Sequence, residues 1–488
     1  MGNAGESPRG LLIGGEWHKP SNGSYPVVNP ATEDVIAEAP EASSQDVESA
    51  VQAAKDAFPA WSRTPAEERG KLLARAADLV EQRAEEILTV AQAETGATMA
   101  TARAMQVPVT VRRLRRYSRI AFETRDQALL PQPVAASSFG PGALVSAVAA
   151  RRPVGVVGAI SPYNFPIGTS AGKLAPALAS GNTVVLKPPP QDPLAVLLLG
   201  EILTEAGFPP GVINIISGSG PETGQALVDS PDVDLISFTG STAVGTKIAE
   251  AGGRTMKRLF LELGGKGAAL VLPDADVDLA VKSIAATWMF QSGQGCVLPT
   301  RAIIHRSLYD TVVEKLAGLA DSLKVGDPLA ADTVVGPLIS DRQRTHVESL
   351  VQSARDEGAR IAAGGERPDL AKGFYVAPTL IADAIPEMTA VRTEAFGPVI
   401  AAMPFDTEEE AIELANDTQF GLHNYVFSRD LGRAYGIAGQ LRSGYVTINT
   451  AQQHPEAPFG GFKYSGLGRD GGAYSLDAYT EQQSVVWV

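Results

Sequence analysis

Cys296 is the only cysteine among 488 residues, and it lies in FQSGQGCVLP, Phe290 to Pro299. A lone thiol closes no internal disulfide, and Gly293 and Gly295 just before it give a substrate carbonyl room to reach the backbone and the sulfur. A thiolate there would be a nucleophile. An inert buried thiol is the plain alternative, and a partner group has to decide between them. Glu262, in LELGGK, stands between leucines at the end of a strand-like run, just before a glycine pair. Apolar surroundings raise a carboxyl's proton affinity, which suits a general base acting near neutral pH on a thiol or a water. An outward-facing glutamate on a half-exposed strand would have the same sequence. Asn164, in SPYNFP, carries an amide that can donate to a developing oxyanion, and it is equally at home in a proline-rich turn.

Two glycine-rich turns suit a phosphate. GSGPETG (Gly218 to Gly224) is one residue longer than G-x-G-x-x-G, whereas GSTAVG (Gly240 to Gly245) offers Ser241 and backbone N–H groups at a helix start. Either could be no more than a tight strand-to-helix turn. The five histidines, His18, His305, His346, His423 and His454, show neither metal-ligand nor Ser-His-Asp spacing, so no metal site is expected.

From about Pro153, β-branched apolar runs alternate with helix-like stretches. VGVVGAI, NTVVLK, VINIIS and VDLISF read as buried parallel strands joined by crossover helices, the pattern of a doubly wound α/β sheet. Ligands gather at the carboxyl ends of such strands, and here those ends carry SPYNFP, KPPP, GSGPETG and GSTAVG. A second alternating region begins near Gly267, with strands RAIIH, FGPVIAAMPF and GYVTIN and an amphipathic helix over 306–323. Ahead of both lies a helical shell, opening with a Ser43-x-x-Asp46 capping pattern that sets Val47, Val51, Ala54 and Phe58 on one face. The arginines of VRRLRRY, Val111 to Tyr117, are expected to form a solvated stripe on one of these helices.

The length calls for two domains, and 44% hydrophobic with 20% charged residues is the composition of a globular chain. A net charge of -14 argues against a nucleic-acid partner. MGNAGESPRG has no apolar leader core, and no apolar run is long enough to span a membrane, so a soluble protein of a reducing cytoplasm is expected.

In order along the chain, NPATE, SPYNFP, FTGSTAVG, LELGGK, GQGC, EAFGPV, GYVTINT and PFGGFKYSGLGRDGG resemble the aldehyde dehydrogenase superfamily, of the non-acylating NAD(P)-dependent type, over about Leu12 to Val488. The resemblance implies a Rossmann-like cofactor domain (1–127 and 151–260), an α/β catalytic domain (261–465) and a small β oligomerisation arm (128–150 and 474–488). It implies that Cys296 attacks an aldehyde, that Asn164 and the Cys296 N–H hold the oxyanion, and that Glu262 activates water to release the carboxylic acid. It further places NAD or NADP against Ile160, Ser161, Tyr163, Lys187, Gly240, Ser241, Glu394 and Phe396, and implies a homodimer or homotetramer.

This sequence departs from the family pattern at informative points. The usual acid after the adenine-ribose lysine is Pro190 in KPPP, so NADP use, alone or beside NAD, is open. The usual glutamate of the GRE motif is the shorter Asp470. Gly168, Thr169 and Gly172 stand where bulkier residues are common, and Phe165, Phe290 and Phe459 could form an aromatic collar. With Thr169 and Val297 they suggest a roomy apolar funnel for an aromatic or medium-to-long aliphatic aldehyde. A CoA-acylating enzyme, which Glu262 argues against, and a catalytically silent binding protein on the same fold are the competing readings.

Overall fold

The computed structural model of the chain describes residues 10–123 and 126–488; of the segment MGNAGESPRG only Gly10 falls among them. Its first sheet has eight strands in the order Gly466–Leu467, Arg258–Glu262, Leu235–Thr239, Val156–Ile160, Thr183–Lys187, Ile213–Ile215, Leu11–Ile13, Glu16–His18. The five central strands are parallel. Alternate residues of these strands serve opposite faces, and both faces are covered, which is why the strands read as unbroken apolar runs. Val157, Val184, Ile213 and Leu235 pack with the helices Ala66–Gln82, Met99–Ile120, Pro166–Ala179 and Leu194–Ala206. Val156, Val185, Ile236 and Leu261 pack with Ser44–Trp61, Glu222–Asp229 and Thr242–Gly253. The helix Ser44–Trp61 starts at the expected capping box of Ser43 and Asp46.

Chain order reverses between Val156–Ile160 and Leu235–Thr239, so the crevice at their carboxyl ends is the topological switch point. The far edge is completed from the end of the chain: Leu467 pairs with Leu261 and Gly466 with Glu262, antiparallel. Tyr479, fully buried, is tied in as well, its carbonyl accepting from Asn182 Nδ2 at 2.9 Å and its hydroxyl lying 2.9 Å from Ser237 Oγ.

A second sheet of seven strands runs Arg360–Ala363, Thr379–Ala382, Val399–Phe405, Pro299–His305, Gly267–Val271, His423–Phe427, Tyr445–Ile448. All its pairings are parallel except that of the edge strand Arg360–Ala363. Asp341–Asp356, Glu408–Asn416 and Leu431–Ala438 cover one face, Val277–Trp288 and Tyr309–Ser322 the other. A third sheet joins Gln127–Val134, Ala143–Pro153 and Thr480–Trp487, all antiparallel, and its outer strands are almost wholly exposed. Among the described residues no helix is long and apolar enough to cross a membrane.

The arginine cluster departs from expectation. Arg115 does lie on the surface, paired with Asp78 and Glu81, but Arg113 turns inward to Asp470 and Arg116 pairs with Glu456. Helix Met99–Ile120 is packed on its neighbours around more of its circumference than a surface stripe allows.

Candidate active site

Three chain segments meet at the mouth of the switch-point crevice. The first is the end of strand Arg258–Glu262. Glu262 is 7% exposed and neither carboxylate oxygen has a hydrogen-bond partner. Burial raises its pKa well above the ordinary carboxylate value and the negative charge of Asp470 adds to this, while Lys173, Arg469 and Arg113 pull the other way. The two following glycines explain how this strand end reaches the others. A Cβ at Gly264 would fall 2.3 Å from Glu394 Oε2, and one at Gly265 would fall 2.4 Å from the carbonyl oxygen of Cys296. The Gly265 N–H donates to Glu394 Oε1 at 2.8 Å, fixing that carboxylate beside the loop.

The second segment carries the thiol. Gln291, Ser292 and Gly293 run consecutively in left-handed conformation, with φ of 50°, 55° and 74°. Two of them are not glycine, which is strain that only surrounding contacts sustain. Those contacts are present: Gln291 Nε2 donates to Asn164 O at 3.2 Å, Ser292 Oγ to Gly336 O at 2.9 Å, and Gln294 Oε1 accepts from Ile339 N at 2.9 Å. The loop is therefore clamped, and its glycines have a different cause from the one inferred from sequence. A Cβ at Gly293 would lie 2.1 Å from the Gly397 carbonyl carbon, and one at Gly295 2.8 Å from the Leu298 side chain. Close packing, ahead of substrate access, demands them. Cys296 itself is a partly exposed free thiol. Burial pushes its pKa up to about 12, the charges of Glu262 and Glu394 push the same way, and the N–H groups of Cys296 and Val297 oppose them.

The third segment follows strand Val156–Ile160. Asn164 is buried, and its Nδ2 donates to the Gln294 carbonyl at 2.9 Å, leaving its second N–H for another acceptor. Phe165 stacks on Phe290 with ring centroids 5.9 Å apart, while Phe459 faces Tyr445 at 6.1 Å. Val297 is held through its carbonyl by the Tyr425 hydroxyl at 2.8 Å, and Thr169 lies partly exposed on the first turn of helix Pro166–Ala179. The funnel is less open than expected. A Cβ at Gly168 would meet Val109, and one at Gly172 would fall 1.6 Å from Arg113 Nη1, so helix Met99–Ile120 fills that side.

Around the crevice the remaining residues form a cradle. Ser161 donates its N–H to the Lys187 carbonyl at 3.2 Å, and Ile160 pairs between Lys187 and Phe238. Lys187 is buried at a strand end, its ammonium donating to the carbonyls of Pro188 and Gly218, and burial lowers its pKa to about 8. Ser241 caps helix Thr242–Gly253, accepting from Val244 N, and the Gly240 N–H donates to the Glu262 carbonyl at 3.1 Å. Phe396, left-handed at φ 47°, meets Tyr163 edge-on at 5.7 Å. A lysine, a helix N-terminus and a half-buried acid around one crevice fit a dinucleotide: ammonium and helix start for its ribose and phosphates, Glu394 for a sugar hydroxyl. Burial brings the pKa of Glu394 up to about 7, against the Gly265 N–H and Lys266.

The model of the aldehyde dehydrogenase family matches residues 17–485. The chain belongs to that family. The aldehyde dehydrogenase, cytosolic 1 of Mus musculus is 39% identical over 97% of this chain and 94% of its own, and a 3-succinoylsemialdehyde-pyridine dehydrogenase of a Pseudomonas species is 39% identical over 98% of both. The NAD+ complex of an aldehyde dehydrogenase from Bacillus cereus superposes with a TM-score of 0.92 at 38% identity, covering 99% of this chain and 96% of that one. This dehydrogenase is therefore an NAD(P)-dependent oxidoreductase with the aldehyde dehydrogenase fold.

Two charged groups beside the dehydrogenase's crevice carry little signal in the sequence. Lys173 lies one residue beyond Gly172, is buried, and donates to Ser237 Oγ at 3.2 Å. A charged residue amid the apolar face of helix Pro166–Ala179 was its only signal. Glu41, distant in sequence, stands close enough to Lys187 to raise that lysine's pKa, so an acid is present near it despite Pro190.

Proposed function

We propose that Cys296 is the nucleophile, Glu262 the general base and Asn164 an oxyanion donor in the oxidation of an aldehyde to its carboxylic acid. The single observation that supports this most is the convergence at one point of a partly exposed thiol, an amide fixed to the thiol's own loop and a buried carboxylate with no partner. A carboxylate in that condition has proton affinity to spare, and taking the Cys296 proton generates the attacking thiolate. Sulfur adds to the aldehyde carbon, and the resulting oxyanion receives the free Asn164 N–H and the Cys296 backbone N–H. The chemistry that bound NAD(P)+ supplies is acceptance of a hydride from that carbon, which leaves an acyl thioester on Cys296. Glu262 gives up the Cys296 proton to solvent and then takes a proton from water; hydroxide adds to the thioester carbonyl, and the thiolate expelled as the acid departs recovers a proton from Glu262.

Lys187, Ser241 and Glu394 would hold the cofactor, with Tyr163 and Phe396 at the nicotinamide end. The stacked pair Phe165 and Phe290 favours an aromatic or medium-to-long aliphatic aldehyde. The exposed arm, where Leu130, Phe139 and Val488 each keep over four-fifths of their surface accessible, is read as the contact with a second copy.

The roles are tested with Glu262→Gln. A first NAD(P)H per subunit formed more slowly than in the parent is expected, because Glu262 also frees the thiolate, followed by still slower turnover with acyl mass trapped on Cys296. Undiminished steady turnover would overturn the assignment. Specificity is read from a panel led by benzaldehyde, octanal and acetaldehyde, and highest kcat/KM for acetaldehyde would refute the apolar reading.

A further inference from the structure

We propose that Arg113 is a positioning residue for the base: paired with Asp470 beside Glu262, it sets the charge that the Glu262 carboxylate meets. The inference rests on Glu262 being the base, as read above. Arg113 Nη1 lies 2.9 Å from Asp470 Oδ2, and Asp470 Oδ1 accepts from Ser475 Oγ at 2.7 Å, so this carboxylate is held from two sides. The same helix face continues the hold one turn on, where Arg116 pairs with Glu456 and the Tyr117 hydroxyl donates to Ser475 Oγ at 2.6 Å. The segment that closes over Glu262 is thus pinned by helix Met99–Ile120.

Gly172 makes the arrangement sterically possible. Its hypothetical Cβ would coincide with the guanidinium, 1.6 Å from Nη1 and 2.6 Å from Cζ, so any side chain there displaces Arg113. The charged groups facing Glu262 come from three elements: Lys173 on helix Pro166–Ala179, Arg113 on helix Met99–Ile120, and Arg469 with Asp470 on the closing segment; the Cys296 thiol in turn feels the Glu262 charge. Asp470 alone would present Glu262 with an unbalanced negative charge. Its pairing with Arg113 turns that charge into a dipole, and the two members act on Glu262 with opposite sign.

Opposite sign is what separates this role from a structural tie. In pH profiles of kcat, Arg113→Met should move the acidic limb to higher pH by about one unit, and Asp470→Asn should move it lower. The double variant should return near the parent. Gly172→Ala, which leaves both charged residues chemically intact, should follow Arg113→Met, and Arg113→Lys should restore part of the shift. The same order is expected without cofactor in infrared titration of the carboxyl band that Glu262→Gln removes. A limb that survives Glu262→Gln overturns the base assignment itself. A limb lost in Glu262→Gln but unmoved, or moved in one direction by both single variants, overturns the role of Arg113 and leaves it a tie between helix and segment.

Discussion

The Asn164 amide donates to the backbone carbonyl of Gln294, 2.9 Å away and two residues ahead of Cys296. One side chain thereby registers the first sheet's strand-end loop against the thiol loop, while its second N–H stays free. Asn164→Ala removes both functions. A fall of about 10²–10³ in kcat is expected from the lost oxyanion donor. Thermal melting should fall by no more than one neutral hydrogen bond is worth, about 1 kcal/mol. A kcat within a few-fold of the parent would show that the amide only ties the loops.

Cys296 reacts only as its thiolate, and its surroundings push its pKa up to about 12. Because it is the only cysteine in the chain, iodoacetamide labelling reports on it alone. Without cofactor the alkylation rate should climb about tenfold per pH unit from 7 to 10 and show no plateau in that range. A plateau between pH 7 and 9 would mean that the thiol is ionised far more readily than its burial and its neighbours Glu262 and Glu394 allow.

Glu94 and Asp192 are both fully buried. Glu94 accepts from the N–H groups of Leu194 and Ala195 at 2.8 and 2.9 Å, whereas neither Asp192 oxygen has a partner. Burial raises both, Glu94 to about 8 and Asp192 well above its ordinary value, with the charge of Glu94 adding to the effect on Asp192. A carboxyl that binds its proton more tightly when folded is most favourable below the unfolded pKa near 4, and its contribution falls as pH climbs toward the folded value. Asp192→Asn should therefore stabilise the protein at pH 8, by at least about 1 kcal/mol, and the gain should vanish near pH 4.5. Destabilisation at pH 8 would refute the raised proton affinity of the Asp192 carboxyl.

Pro190 follows Lys187 closely, where an acid would repel the 2′-phosphate of NADP. The ratio of kcat/KM for NAD over NADP is expected to rise at least about tenfold in Pro190→Glu. An unchanged ratio would place the discrimination elsewhere, with Glu41 beside Lys187 the first residue to vary.

Sequence alone showed the parallel strands well, because a strand buried on both faces, such as Thr183–Lys187, leaves no polar alternation to misread. Glu262 and Cys296 were legible for a related reason: a carboxylate between leucines and a thiol among glycines are out of place for their neighbourhoods. The short strands Leu11–Ile13, Glu16–His18 and Gly466–Leu467 were not, since two or three residues carry no period. Arg113 was hidden by its cluster, where four arginines at spacings of one and two residues look alike and only tertiary packing selects the one that turns inward. Gly172 suggested open space in sequence, and the guanidinium that fills it comes from 59 positions earlier.

Gly466 and Leu467 form the edge of the first sheet, and Tyr479 is locked into its interior, although most of that sheet is laid down before residue 263. During vectorial synthesis the strand bearing Glu262 waits for almost the whole remaining chain to leave the ribosome before its last backbone partners arrive. The first half of the molecule is thus no detachable module. A truncation from Gly466 onward would leave an open sheet edge beside Glu262 and a vacant buried site where Tyr479 had packed, in a sheet built almost wholly from the other end of the chain.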